Sequence, residues 1–230
     1  MSNSDAQPLF DGREMLMVHA VFRRELGLAP RTVRGVADGD VERARLVTGH
    51  VQGIVHMLHH HHEAEDAYTW PLLLERAADQ VAPLVTLMET QHQDVAKHGD
   101  EVAGALTAFG ESATALARED LAAGLERLLT VLHEHLTTEE QQVVPLMERF
   151  VTAAEWNEMV QRGAAAADPA TIPFGLGLMM YEGYPDLMDG VITNMPPDMQ
   201  PVIRQIAGDA YGARALELYG TTTPPRSTEL

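Results

Sequence analysis

The chain has no cysteine among its 230 residues. That excludes disulfides, thiolate metal sites and iron–sulfur clusters held by this chain. Basic residues are scarce: 16 Lys and Arg stand against 34 Asp and Glu, for a net charge of −18. A protein that neutralises phosphates needs a cationic face, so nucleic acid is not an expected partner. The acidity reads instead as a solvated surface. No uninterrupted apolar run approaches the roughly 18 residues of a spanning helix, so no membrane partner is expected. The opening Met1-Ser2-Asn3-Ser4-Asp5 lacks a basic stretch followed by an apolar one. No signal peptide is expected, and the reading is cytoplasmic. Nucleophile triads, phosphate loops and nucleotide fingerprints are also missing. Aromatic residues make up only 5% of the chain, but 45% is apolar, enough to build the core of one domain.

What is present is a short pattern used twice. His61-His62-Glu63-Ala64-Glu65-Asp66 runs on to Pro71-Leu72, and His135-Leu136-Thr137-Thr138-Glu139-Glu140 runs on to Pro145-Leu146. Both read H-x-x-x-E-[DE]-x-x-x-x-P-L. A lone histidine precedes each copy: His19 lies 42 residues before His61, and His92 lies 43 before His135. On a helix, a Glu four residues after a His is rotated by about 40° and raised by about 6 Å, so both groups reach one small volume. Two units therefore offer four imidazoles and two carboxylates, the ligand count of a two-metal centre. Four such histidines on apolar faces, two with Glu at i+4, are hard to explain as ordinary core residues.

Residues 1–150 read as four long helices, because apolar residues recur at three and four and strand-like alternation is scarce. The first opens near Asp11 with a capping-box pattern to Glu14 and aligns Met15, His19, Phe22 and Leu26. The segment from Gly27 to Asp38, containing Pro30, reads as a loop. Asp40 caps the second helix, which aligns Ile54, Leu58, His61 and Glu65. The third, from about Pro83 to Phe109, aligns Val85, Met88, His92 and Val95. The fourth, from about Leu116 to Phe150, aligns Leu121, Leu125, Leu128, Leu132, His135 and Glu139. Pro71 and Pro145 kink or end their helices past the site. Residues 151–230 form a Gly/Pro/Met-rich helical extension. It holds a capping box at Thr152 to Glu155, a last helix from Pro201 to Tyr219 with Val202, Ile206 and Ala210 inward, and a frayed end at Thr221 to Pro225.

Together the lone His, the H-x-x-x-E pair and their repetition resemble the hemerythrin-like, or HHE cation-binding, family over roughly residues 10–150. The resemblance implies an all-α fold: an up-down-up-down four-helix bundle (1–150), here followed by the short helical extension (151–230). It also implies two non-haem irons bridged by oxo or hydroxo and by the two carboxylates. His19, His61, Glu65, His92, His135 and Glu139 are the metal ligands it assigns. Oxygen-carrying members have H-x-x-x-H on the third helix, and here the second position is Ala96. That places a vacancy at the iron bound by His92, open to water, to substrate or to Tyr68.

The other histidines are weighed against that set. His60 and His62 sit about 100° to either side of His61 and His59 points away, so the three are expected at the surface or beside a ligand rather than on the metal. His50 is about 16 Å along the axis, too far to reach. His56, His98 and His133 are expected to be exposed, and Glu89 to lie at the surface or beside a ligand. Imidazole with carboxylate suits iron but also zinc or manganese, so iron rests on the resemblance. Function then divides into classes. One is binding or sensing of a small ligand, chiefly dioxygen. Another is redox enzymology on peroxide or nitric oxide, or a part in iron–sulfur repair. A third is iron sensing. A non-metal interaction module is disfavoured by the six-residue set.

Overall fold

The computed structural model describes residues 7–166, 168–193 and 195–230. The N-terminal residues read for a signal peptide lie outside the described residues. Among the described residues there is no strand, only an isolated bridge between Leu9 and Thr152. No described helix is long and apolar enough to cross a membrane.

Four long helices form the bundle: α1 (Arg13–Arg34), α2 (Val41–Ala64), α3 (Trp70–Ser112) and α4 (Ala115–Gln142). Cross-contacts fix their directions. His19 meets His61 while Glu25 meets His50; His62 meets His92 while Thr48 lies at Gly110. His19 also meets Glu139, while Arg34 meets Glu119. In each pair one residue number rises as the other falls, so successive helices run antiparallel, up-down-up-down.

Local chemistry explains the ends. Asp40 accepts a 3.0 Å bond from the Arg43 N–H and caps α2. The box expected at the start of α1 does not form. The Glu14 carboxylate is taken by the Trp156 indole N–H at 2.6 Å, and Glu148 accepts from the Gly12 N–H instead. Nor does α1 stop at Gly27. Pro30 inside a helix costs about 3 kcal/mol. Leu28 before it and Val33 after it are fully buried, each contributing about 2 kcal/mol, so tertiary burial outweighs the local penalty. Between α3 and α4, Ala113 adopts φ 48° and its N–H bonds to the Phe109 carbonyl, so the left-handed cap falls on an alanine.

The proline of each repeat sits at a helix start. Pro71 opens α3 after a π-helical turn at Glu65–Thr69, and a break follows at Ala77 (φ −148°, ψ 37°). Pro145 opens α5 (Val144–Phe150).

The remaining helices are α6 (Ala153–Ala166), α7 (Ile172–Glu182), α8 (Pro185–Thr193) and α9 (Gln200–Tyr219), then a 3₁₀ turn at Ser227–Glu229. The capping box of α6 is complete: Thr152 N–H donates to Glu155 at 3.0 Å, and Glu155 N–H to the Thr152 hydroxyl at 3.3 Å. Helix α9 buries Ile203, Ala207, Tyr211, Ala215 and Leu218, and leaves Val202 and Ile206 exposed. The expected inward face was one residue out of register.

Buried charge joins the extension to the bundle. Arg24, with no exposed side chain, pairs with Glu25 at 2.5 Å and with Glu182 of α7 at 3.0 Å. It also lies over the rings of Tyr181 and Tyr211. Glu25 accepts from His50 and from the Tyr219 hydroxyl, each at 2.7 Å. Glu182 accepts from the Ser227 hydroxyl at 2.8 Å, and Tyr181 donates to the Pro224 carbonyl at 2.6 Å. The tail expected to fray is therefore tied down.

Candidate metal centre

Two apolar clusters fill the bundle. One contains Phe22, Leu58, Val95, Leu132 and Leu136; the other contains Met15, Trp70, Leu73, Met88 and Val143. On every helix the polar candidates fall between them in sequence. His19 lies between Met15 and Phe22, His61 to Glu65 between Leu58 and Trp70, His92 between Met88 and Val95, and His135 and Glu139 between Leu132 and Val143. The result is a polar layer between the two apolar clusters of the bundle.

All six expected residues meet in this layer. His19 Nε2 lies 3.2 Å from His61 Nε2 and 3.4 Å from a Glu139 oxygen. Glu65 turns one oxygen to His61 at 3.1 Å and the other to His92 at 3.5 Å. A Glu139 oxygen is 3.6 Å from His135 Nε2. Each carboxylate thus stands between histidines of different helices. Burial is complete for His19, Glu65, His135 and Glu139, while His61 keeps 12% of its side chain exposed.

A seventh residue joins them. His62 is buried, stacks on His92 with ring centroids 4.2 Å apart, and meets His135 edge-on at 4.7 Å. Donor atoms close enough to share an ion fall into two groups: His19, His61, Glu65 and Glu139; and His62, Glu65, His92 and His135. His62, expected at the surface or beside a ligand, instead has its own donor atom within reach of the second group. The face of α2 is wide enough for both histidines, because Ile54, Leu58, His62 and Glu65 follow the 4-4-3 spacing of a buried stripe. The second repeat carried the signal: Leu136, the counterpart of His62, is a core residue.

Two other expectations fail. Ala96 is exposed, so it leaves no gap at the centre. Tyr68 is 43% exposed and its ring lies under the Arg162 guanidinium. Of the remaining histidines, His56, His59, His60 and His133 are exposed, His98 is half-buried, and His50 belongs to the Glu25 network. Glu89 is exposed.

The second acid of each repeat has a defined place. Asp66 accepts from His92 Nδ1–H at 2.8 Å, and Glu140 accepts from His19 Nδ1–H at 2.9 Å. Each acid therefore serves the lone histidine of the other unit and aims its Nε2 at the layer. Asp66 is held in turn by the Trp70 indole N–H at 2.8 Å, and Glu140 by both Arg23 nitrogens, at 2.5 and 3.2 Å.

The layer is electrostatically incomplete as protein alone. Among the described residues, eleven buried side-chain atoms lack a hydrogen-bond partner, and eight belong here: both oxygens of Glu65 and of Glu139, both nitrogens of His135, and one nitrogen each of His62 and His92. Burial, with Asp66 nearby, pushes the Glu65 carboxyl up to about 8. Burial and the Glu65 charge raise Glu139 strongly as well. Burial and the neighbouring imidazoles depress His61 and His62, and lower His135 to about 2. Buried, unpaired polar atoms are costly, and a cation between them would satisfy carboxylate and imidazole together. The donor set fits a metal.

A family model for the hemerythrin HHE cation binding domain matches residues 13–147, which contain every residue of the layer. No curated protein and no solved structure matches the chain.

Proposed function

This chain belongs to the hemerythrin HHE cation-binding family, and from that premise we propose that it holds two non-haem irons and binds a small ligand, chiefly dioxygen, on one of them. The observation that carries this reading is the overlap of two donor groups at Glu65. His19, His61 and Glu139 would hold one iron and His62, His92 and His135 the other, with Glu65 offered to both. Bound iron supplies the redox chemistry for reversible ligand binding. The chain's own part is to keep His61, His62 and His135 neutral by burial, to orient His19 and His92 through Glu140 and Asp66, and to exclude water with an apolar cluster on each side.

The donor sets differ in kind. Three imidazoles would serve one metal, and two imidazoles with the carboxylate of Glu139 the other. The ligand position belongs on the His19–His61 side, where His61 is the imidazole with most exposure and Phe22 packs 5.4 Å from its ring. This differs from the vacancy at His92 expected from Ala96.

The test begins with iron analysis of the purified chain, expected to approach two per chain. Reduced anaerobic protein is then exposed in turn to dioxygen, peroxide and nitric oxide and followed by optical spectroscopy. A reversible dioxygen spectrum supports the reading. Saturation at one iron defeats the two-metal part. Rapid turnover of peroxide with no stable dioxygen spectrum replaces the carrier by an enzyme.

A further inference from the structure

The histidine run does more than supply His61 and His62. Two turns of the exposed face of α2 carry His56, His60 and Glu63. The Nε2 atoms of His56 and His60 are in direct contact, with ring centroids 4.3 Å apart. The other ring nitrogen of His60, Nδ1, donates to Glu63 Oε2 at 2.8 Å, and the second Glu63 oxygen faces His59 Nε2 at 3.2 Å. The side chains of His60 and Glu63 are 60% and 56% exposed.

This arrangement has a definite chemistry. The His60 tautomer that donates Nδ1–H to Glu63 presents a bare Nε2 lone pair to His56. Histidines at i and i+4 place two such nitrogens on one helical face, the spacing that also serves zinc in H-E-x-x-H helices. A carboxylate on the far nitrogen fixes the tautomer and raises the basicity of the ligand. The same device holds His92 through Asp66 and His19 through Glu140 inside the bundle. At the surface it points outward, where water can complete the coordination.

We propose that His56 and His60 form a second, exposed binding site for a divalent transition-metal ion of the zinc, nickel or copper class, with Glu63 positioning His60. The site is separate from the buried layer and does not depend on what that layer binds. An ion there replaces the proton between two facing nitrogens.

Zinc is the probe. The full chain, loaded with its resident metal, is dialysed to equilibrium against zinc, and both metals are measured. One additional zinc per chain is expected, with the resident metal unchanged. His56→Ala and His60→Ala should each abolish the uptake. Glu63→Gln should weaken it about tenfold. His133→Ala, which alters an exposed histidine on α4, should leave it unchanged. Paramagnetic nickel should broaden amide resonances of residues 56–63 first. The proposal is overturned by no zinc uptake, by uptake that survives His56→Ala, or by uptake matched by loss of the resident metal. Because these positions are exposed, circular dichroism should show all variants folded.

Discussion

Replacing His62 with alanine removes one of three imidazoles from the His62–His92–His135 side and leaves His19 and His61 untouched. We expect the iron content of His62→Ala to fall from two towards one per chain, with the helical signal kept. Tyr68→Phe and Ala96→His should leave metal content and visible spectrum unchanged, since one ring lies under Arg162 and the other position is exposed. If His62→Ala keeps both irons, His62 is only a packed neighbour of His92. A milder loss is expected at the two orienting acids. Asp66→Asn or Glu140→Gln should weaken metal binding by about 10- to 100-fold, read by competition with a chelator, without lowering the saturating stoichiometry. Six of the seven converging residues were legible because they repeat. His62 was passed over as a donor because its counterpart Leu136 offers no ligand atom, although that apolar counterpart marks the position as inward. The spacing Leu58, His62, Glu65 shows it when the whole apolar stripe is followed.

Helices were legible where propensity and burial agree, and illegible where tertiary contact overrides the local signal. Pro30 marked a loop by chemistry alone, yet Leu28 and Val33 hold the helix through it. The inward face of α9 was misplaced by one residue because Val202 and Ile206 are apolar but exposed, and the side buried in their place includes Tyr211 and Ala215. The attachment of the extension was invisible, since Arg24 gives no sign in sequence that its partner is Glu182. Removing Arg24 tests the attachment. Arg24→Ala leaves Glu25 without one of its partners and takes the cation from Glu182, a loss of about 3–5 kcal/mol for a buried ion pair. Limited proteolysis should then release α7 to α9 before it cuts the bundle; an unchanged pattern would show the extension held by apolar contact alone. The cap of α6 gives a pH-dependent counterpart. Arg76 chiefly, with Thr152, lowers the Glu155 carboxyl from its ordinary 4.5 to about 2. A folded-state value below the unfolded one means stability that is present above about pH 4.5 and lost as pH falls through 2. Both side chains are about one-third exposed, so solvent screening leaves about 1 kcal/mol. Acid titration of unfolding should show Glu155→Gln less stable than the parent at pH 6 and the gap closing by pH 2 to 3. A constant gap would assign the loss to packing.

At the scale of the molecule, the polar layer interrupts the core between its two apolar clusters, so metal and fold are coupled. Without metal, Glu65 and Glu139 either carry charge with no partner or hold protons at pH values where carboxylates ordinarily do not, and three imidazoles are held neutral beside them. Each alternative costs free energy that a bound cation removes. Binding to the folded chain alone stabilises it by about 4 kcal/mol when free metal is a thousandfold above its dissociation constant. For a chain of this size that corresponds to about 10 °C in melting temperature. Iron-loaded protein should therefore melt about 10 °C above protein stripped by a chelator, by calorimetry at the same pH and salt. Stripping should also restore exchange to amides of α2 and α4 around the layer before those of α9, whose contacts do not involve it. The double replacement Glu65→Leu with Glu139→Leu separates the two contributions. It cannot bind metal in the same way, yet it removes the buried charges, so it should melt above the stripped parent. If stripped and loaded parent melt together, the carboxylates are not desolvated as the layer requires. The raised values at Glu65 and Glu139 would then have no energetic consequence.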